Sequence, residues 1–90
     1  MKSQFYTLKG YKLKNHNIIT EAMEDYIEMI YRKTINNKYI TIKDLANDLN
    51  VRPSSVSKMA NKLKELKFIN YERYGSISLT NEGFNLGKYL

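Results

Sequence analysis

Apolar residues recur at helical spacing in three successive parts of the chain. From Glu21 to about Lys33 the spacing predicts a helix capped by Thr20, with the buried positions Met23, Tyr26, Ile27, Ile30 and Tyr31. A second helix follows Thr41 and ends near Asn50, with the buried positions Ile42, Leu45, Ala46 and Leu49. A third begins at Pro53 and runs to about Lys67, with the buried positions Val56, Met59, Ala60, Leu63 and Leu66.

The pattern changes after Lys67. Two short β-prone segments, 68–73 and 77–80, flank a turn in which Gly75 supplies a positive φ, as a hairpin requires. Thr80 then precedes a last helix from Asn81 to Leu90, with the apolar positions Phe84, Leu86 and Leu90. This order predicts a mainly α fold with a small β-hairpin, a winged helix-turn-helix over residues 20–90, preceded by a basic arm at residues 1–19. Four tyrosines are expected to line the core with their hydroxyls outward: Tyr26, Tyr31, Tyr39 and Tyr71.

Composition excludes several kinds of chemistry. The 90 residues form one small domain and contain no cysteine, which excludes disulfides and thiolate zinc sites. His16 is the only histidine, so histidine triads are excluded, and we expect an ordinary surface residue. No apolar stretch is long enough to span a membrane, so we expect a soluble, cytoplasmic protein. The 15 basic and 9 acidic residues favour a polyanionic partner.

Positive charge concentrates in the third predicted helix, where Glu65 is the single acid between Arg52 and Lys67. The first turn of the second helix of a helix-turn-helix faces the major groove of DNA. Short hydroxyl side chains there reach bases or phosphates, and lysines further along reach phosphates. The candidate DNA-binding residues are therefore Arg52, Pro53, Ser54, Ser55, Ser57, Lys58 and Lys62. The alternative is that the serines only cap the helix and the lysines form a solvated face.

The predicted wing adds Arg73 and Tyr74 beside Gly75. An arginine at this place can contact the DNA backbone or enter the minor groove. The alternative is a solvent-exposed turn that carries an incidental arginine.

Two carboxylates of the first helix, Asp25 and Glu28, are three residues apart and share a face. Such a pair attracts a divalent cation, although two carboxylates alone do not make a tight site. A solvated acidic face is the alternative. No catalytic set surrounds the pair, and we do not expect an enzyme.

Several segments in order resemble the DtxR/MntR family of metal-dependent repressors. The similar segments are residues 22–31 (AMEDYIEMIY), 44–46 (DLA), 51–59 (VRPSSVSKM), 71–75 (YERYG) and 79–80, with Gly83 and Gly87. The resemblance covers about residues 20–90. It implies a cytoplasmic prokaryotic transcriptional repressor that binds double-stranded operator DNA as a homodimer when loaded with Mn²⁺ or Fe²⁺. By the same resemblance, Asp25 and Glu28 fall on metal ligands, and an aspartate at position 25 favours manganese.

The family's other metal ligands and its dimer interface lie beyond the wing. The resemblance therefore implies a DNA-binding domain without the C-terminal dimerisation and metal-sensing region, either a fragment or a natural short relative. Such a chain is expected to hold metal weakly by itself. A second hypothesis is a winged-helix interaction module whose basic face binds an acidic protein.

Overall fold

The computed structural model describes residues 19–72 and 74–90. The predicted basic arm up to residue 18, His16 and Arg73 lie outside the described residues. Ile19, which the prediction assigned to the arm, is buried in the core. The division into arm and domain otherwise stays a prediction.

Four helices and three short strands follow one another along the described residues. They are α1 (Glu21–Thr34), β1 (Ile40–Thr41), α2 (Ile42–Leu49), α3 (Pro53–Glu65), β2 (Ile69–Tyr71), β3 (Ser76–Leu79) and α4 (Asn81–Tyr89). This arrangement confirms the predicted mainly helical, winged helix-turn-helix fold.

Threonine hydroxyls set where three of the described helices begin. Thr20, Thr41 and Thr80 have extended backbones, and their side chains accept a hydrogen bond from the backbone N–H three residues later. Each hydroxyl thus satisfies one of the N–H groups that the first helical turn leaves without a partner. The predicted cap at Thr20 is confirmed, and Thr41 and Thr80, which the sequence places just before the two other helices, act in the same way.

The three strands form one antiparallel sheet in the order β1-β3-β2. Ile77 of β3 lies opposite Ile40 of β1 on one side and Tyr71 of β2 on the other. The sequence predicted only the β2–β3 hairpin. A two-residue strand such as β1 is too short to show alternation, and its partner in β3 is distant in the sequence.

One core lies between the helices and the inner face of the sheet. Its fully enclosed side chains come from α1, α2, α3, β2, β3 and α4: Ile27, Ile30, Leu45, Val56, Leu63, Ile69, Ile77 and Leu86. One predicted core position is wrong. Tyr39 is 57% exposed, because it precedes the buried Ile40 and side chains of an extended chain alternate. Phe84 is 42% exposed, and its ring lies 5.3 Å from that of Tyr31.

The third helix is shorter than predicted, because Lys67 adopts a left-handed backbone (φ 68°). The N–H of Lys67 bonds to Lys64 O and the N–H of Phe68 to Leu63 O, at 2.9 and 3.0 Å. These two bonds form a Schellman motif that ends α3 and turns the chain into β2.

No helix within residues 19–72 and 74–90 is long and apolar enough to cross a membrane.

Candidate nucleic-acid interface

A tight turn joins α2 to α3. Asn50 has a left-handed backbone (φ 57°), and its N–H bonds to the carbonyls of Ala46 and Asn47. The N–H of Val51 bonds to Ala46 O at 3.0 Å, which closes a second Schellman motif. Asparagine tolerates this backbone better than most residues. The turn fixes the angle at which α3 leaves α2, as a helix-turn-helix requires.

The start of α3 differs from that of the other described helices. Its N-cap is Arg52, which makes no side-chain capping bond, and Pro53 occupies the first turn. The N–H groups of Ser55 and Val56 both bond to Arg52 O, at 3.0 and 3.2 Å. The interpretation in which the serines cap the helix is therefore wrong. Their hydroxyls lie inside the first two turns and are available to a ligand.

The exposed side of α3 carries hydroxyl and basic groups. Val56, Ala60 and Leu63 are buried and define the inner side of the helix. On the outer side the exposed residues are Arg52, Pro53, Ser54, Ser55, Lys58 and Lys62, while Ser57 is half-buried. Asn61, which the sequence analysis did not single out, is also exposed on this side. No acid interrupts the helix before Glu65.

The wing is a tight turn between β2 and β3. The N–H of Gly75 bonds to Glu72 O at 3.0 Å, and the N–H of Glu72 bonds to Ser76 O at 2.9 Å. Gly75 has φ 83°, a backbone that glycine adopts without strain. Tyr74 is 89% exposed at the tip. The predicted wing contact at Arg73 falls outside the described residues and is not located.

A backbone hydrogen bond connects the wing to the helix-turn-helix. The N–H of Ile42, the first residue of α2, donates to Gly75 O at 2.9 Å. The Ile42 side chain also lies 3.4 Å from the point where a Cβ on Gly75 would stand. The backbone at Gly75 is therefore held against the base of α2, and Tyr74 lies exposed beside it.

The candidate metal pair lies on α1. Asp25 is exposed, and Glu28 accepts a hydrogen bond from Arg32, with 2.8 Å between Oε2 and the guanidinium nitrogen. The arginine, which the sequence analysis did not consider, therefore competes with a cation for this carboxylate. Among the described residues no group of three or more His, Cys, Asp or Glu side chains could hold a metal ion. Asp25 and Glu28 can supply only part of a coordination sphere.

Comparison with known proteins identifies this arrangement of helices and wing. Residues 18–77 match the family model described as "Iron dependent repressor, N-terminal DNA binding domain". The chain belongs to this family. The match covers most of the chain, from the start of α1 into β3, and so includes α3 and the wing. The resemblance to metal-dependent repressors found in the sequence is confirmed.

Relatives of the iron-dependent repressor family support the match. The chain is 45% identical over 71 residues to the HTH-type transcriptional regulator MntR of Lysinibacillus sphaericus (strain C3-41), covering 79% of this chain and 51% of that protein. It is 44% identical over 71 residues to MntR of Listeria welshimeri, covering 79% and 50%. The chain thus spans about half the length of the relatives it matches.

A solved structure agrees with the assignment to the iron-dependent repressor family. The T. acidophilum IdeR crystal structure superposes with a TM-score of 0.67 and 31% sequence identity, over 76% of this chain and 31% of that chain. The winged helix of this chain is therefore the fold of a known regulator.

Proposed function

We propose that this chain is the DNA-binding part of a metal-dependent transcriptional repressor and binds double-stranded operator DNA. In this proposal α3 enters the major groove, and the wing contacts the neighbouring backbone or minor groove. The relatives are transcriptional regulators by name, and none of the names describes an enzyme. We propose the same non-enzymatic role for this chain, in the cytoplasm of a prokaryote.

The exposed side of α3 carries the proposal. It begins without a side-chain cap, and the N–H groups of Ser55 and Val56 are used by Arg52 O, so the Ser54 N–H and the positive end of the helix dipole face a ligand. Ser54 and Ser55 are exposed in that turn, and Lys58 follows one turn later. An uncapped N-terminus with hydroxyls and cations beside it suits a phosphate backbone in the major groove.

Each group has its own part in the proposed complex. Lys58 and Lys62 neutralise phosphates, and the serine hydroxyls at 54, 55 and 57 contact base edges or phosphates. Arg52 and Pro53 lie at the entrance of the groove. Tyr74, with Arg73 beside it in the sequence, extends the contact from the wing.

Metal and dimerisation belong to the same proposal. The family is named for iron dependence, and carboxylates at Asp25 and Glu28 are hard ligands that suit Mn²⁺ or Fe²⁺. Since no group of three or more candidate ligands lies together among the described residues, we propose that this chain alone holds such an ion weakly. A homodimer, as the resemblance implies, would double the number of phosphate contacts on a two-fold symmetric operator.

Fluorescence anisotropy of a labelled mixed-sequence duplex, titrated with the chain at several salt concentrations, tests the proposal. We expect the affinity to fall as salt is added. A plot of log affinity against log salt concentration should have a slope of about −0.9 for each phosphate contacted. Adding Mn²⁺ is expected to change the affinity little. Absence of binding at low salt would overturn the proposal and favour an acidic protein as the partner of the basic face.

A further inference from the structure

Asn61 occupies an unexplained position on α3. It follows the buried Ala60, yet it is exposed, because one residue turns the helix by about 100°. Val56 and Leu63 lie on the inner side with Ala60. Asn61 therefore lies on the outer side, where the proposed DNA contact takes place.

Asn61 completes a regular row of polar side chains. Ser54, Ser57, Lys58 and Asn61 are related as i, i+3, i+4 and i+7, so their side chains leave the helix in one direction. Homeodomains read the major groove from four residues of one helix with the same spacing. The next position of this face, i+8, is Lys62, and the one after it, i+11, is the acidic Glu65, which phosphates repel.

The carboxamide of Asn61 differs chemically from the other groups of the row. A serine hydroxyl both donates and accepts and tolerates several bases, and a lysine ammonium only donates. An asparagine side chain holds a donor and an acceptor in one plane, which matches N7 and the N6 amino group of adenine. Asn61 is thus the member of the row best suited to recognise one particular base.

The side chain of Asn61 is also available for a new hydrogen bond. Within the described part of the chain its carboxamide makes no hydrogen bond, whereas that of Asn70 on β2 donates to Ser78 Oγ at 3.3 Å. Rotating Asn61 towards a base therefore breaks no bond to those residues. Its role is not explained by capping or by a link to the sheet.

We propose that Asn61 determines sequence specificity by pairing with an adenine in the major groove. The inference rests on the proposed function, because it requires α3 to enter that groove. The proposed contact between Asn61 and adenine would be specific for one base. The other proposed contacts of α3 come from serine hydroxyls, which tolerate several bases, and from lysines, which bind phosphates.

The test is a binding selection from a randomised duplex library, followed by sequencing, with the wild-type chain and two variants. Asn61→Ala removes the carboxamide, and Asn85→Ala is the matched control on α4, where Asn85 is exposed. Alanine is favourable in a helix, so neither change threatens folding, which circular dichroism verifies. With Asn61→Ala, we expect the enrichment of adenine at one site of the selected duplex to be about 5- to 150-fold lower than with the wild-type chain, and the enrichment at the other sites to be unchanged. Asn85→Ala should leave the enrichment unchanged at every site.

Other outcomes separate this inference from the proposed function. If Asn61→Ala keeps the adenine preference, or loses enrichment equally at every position, Asn61 does not read a base while DNA binding stands. If the wild-type chain binds DNA but enriches no sequence, base recognition by Asn61 is likewise overturned. If the wild-type chain binds no duplex at low salt, the proposed function and the inference both fail.

Discussion

Gly83 of α4 lies directly against the backbone of Phe68. A Cβ at position 83 would stand 1.9 Å from the Phe68 carbonyl oxygen and 3.0 Å from the Leu79 side chain. The same carbonyl accepts a hydrogen bond from Thr80 N at 3.1 Å, and Thr80 Oγ1 donates to Lys67 O at 2.7 Å. The start of α4 is therefore fastened to the segment that links α3 to the wing, and only glycine allows the approach.

Gly83→Ala is expected to destabilise the fold by about 2 kcal/mol. The added methyl group meets backbone rather than a movable side chain, so α4 must shift and its buried Leu86 loses packing. The helical preference of alanine over glycine, about 1 kcal/mol, offsets only part of this. Urea denaturation followed by circular dichroism measures the change.

Asn85→Ala is the matched control for Gly83→Ala. The residue lies on the same helix and is exposed, so its replacement is expected to leave stability unchanged or slightly raised. Equal midpoints for Gly83→Ala and the wild-type chain would show that α4 does not approach Phe68 this closely.

Lys67→Gly is expected to stabilise the fold by about 0.5–1 kcal/mol. Lys67 holds φ 68°, where the Cβ of an L residue is strained and glycine is not. The greater freedom of glycine in the unfolded chain reduces the gain. The free energy of unfolding from urea titration gives the magnitude.

Lys62→Gly is the control for Lys67→Gly, because it is expected to lower the stability of the fold rather than raise it. Lys62 is an exposed residue inside α3, where glycine costs about 1 kcal/mol. A loss of stability at both positions would contradict the left-handed end of α3 at Lys67.

Local signals made most of the helices predictable, and non-local contacts account for what was missed. Thr20, Thr41 and Thr80 act on backbone groups three residues away, so the sequence alone locates those helix starts. The strand at Ile40 depends on pairing with Ile77, and no local pattern predicts a pairing between residues so far apart in the sequence. The end of α3 was placed too late because a left-handed lysine carries no sequence signal of the kind that glycine gives.

The sequence predicted which residues make up the candidate site better than it predicted their hydrogen bonds and their positions on the helix. Proline and charge indicated where α3 begins, but the residue types did not show that Arg52, rather than a serine, forms the N-cap. The Arg32–Glu28 pair follows an i, i+4 spacing that could have been found in the sequence. The outward position of Asn61 could have been found in the same way, from its spacing to Ser54 and Lys58.

Stability is expected to fall above about pH 10 in part through Tyr26. Burial raises the pKa of its phenol above the ordinary value of 10.0, so the folded state keeps the proton where the unfolded state loses it. The unfolded state then binds fewer protons, and the free energy of unfolding decreases as the pH rises from about 10 towards the folded pKa. Urea midpoints at several alkaline pH values measure the slope.

Tyr26→Phe isolates this contribution. The ring stays in the core, where Tyr26 is 9% exposed, but the titrating hydroxyl is gone. We expect a shallower loss of stability above pH 10 than in the wild-type chain. Parallel slopes for the two proteins would show that the Tyr26 hydroxyl ionises as easily in the folded state as in the unfolded one.

Lys58→Ala is expected to weaken DNA binding about tenfold at low salt, because a charge-assisted contact to phosphate is lost. The slope of log affinity against log salt should also fall by about 0.9, the contribution of one phosphate. Lys88→Ala removes the same charge from the far end of α4, where the ammonium lies 5.9 Å from the centre of the Phe84 ring. Anisotropy titrations should show a wild-type salt slope for that control. Equal effects of the two substitutions would mean that net charge, rather than a contact from α3, accounts for the loss.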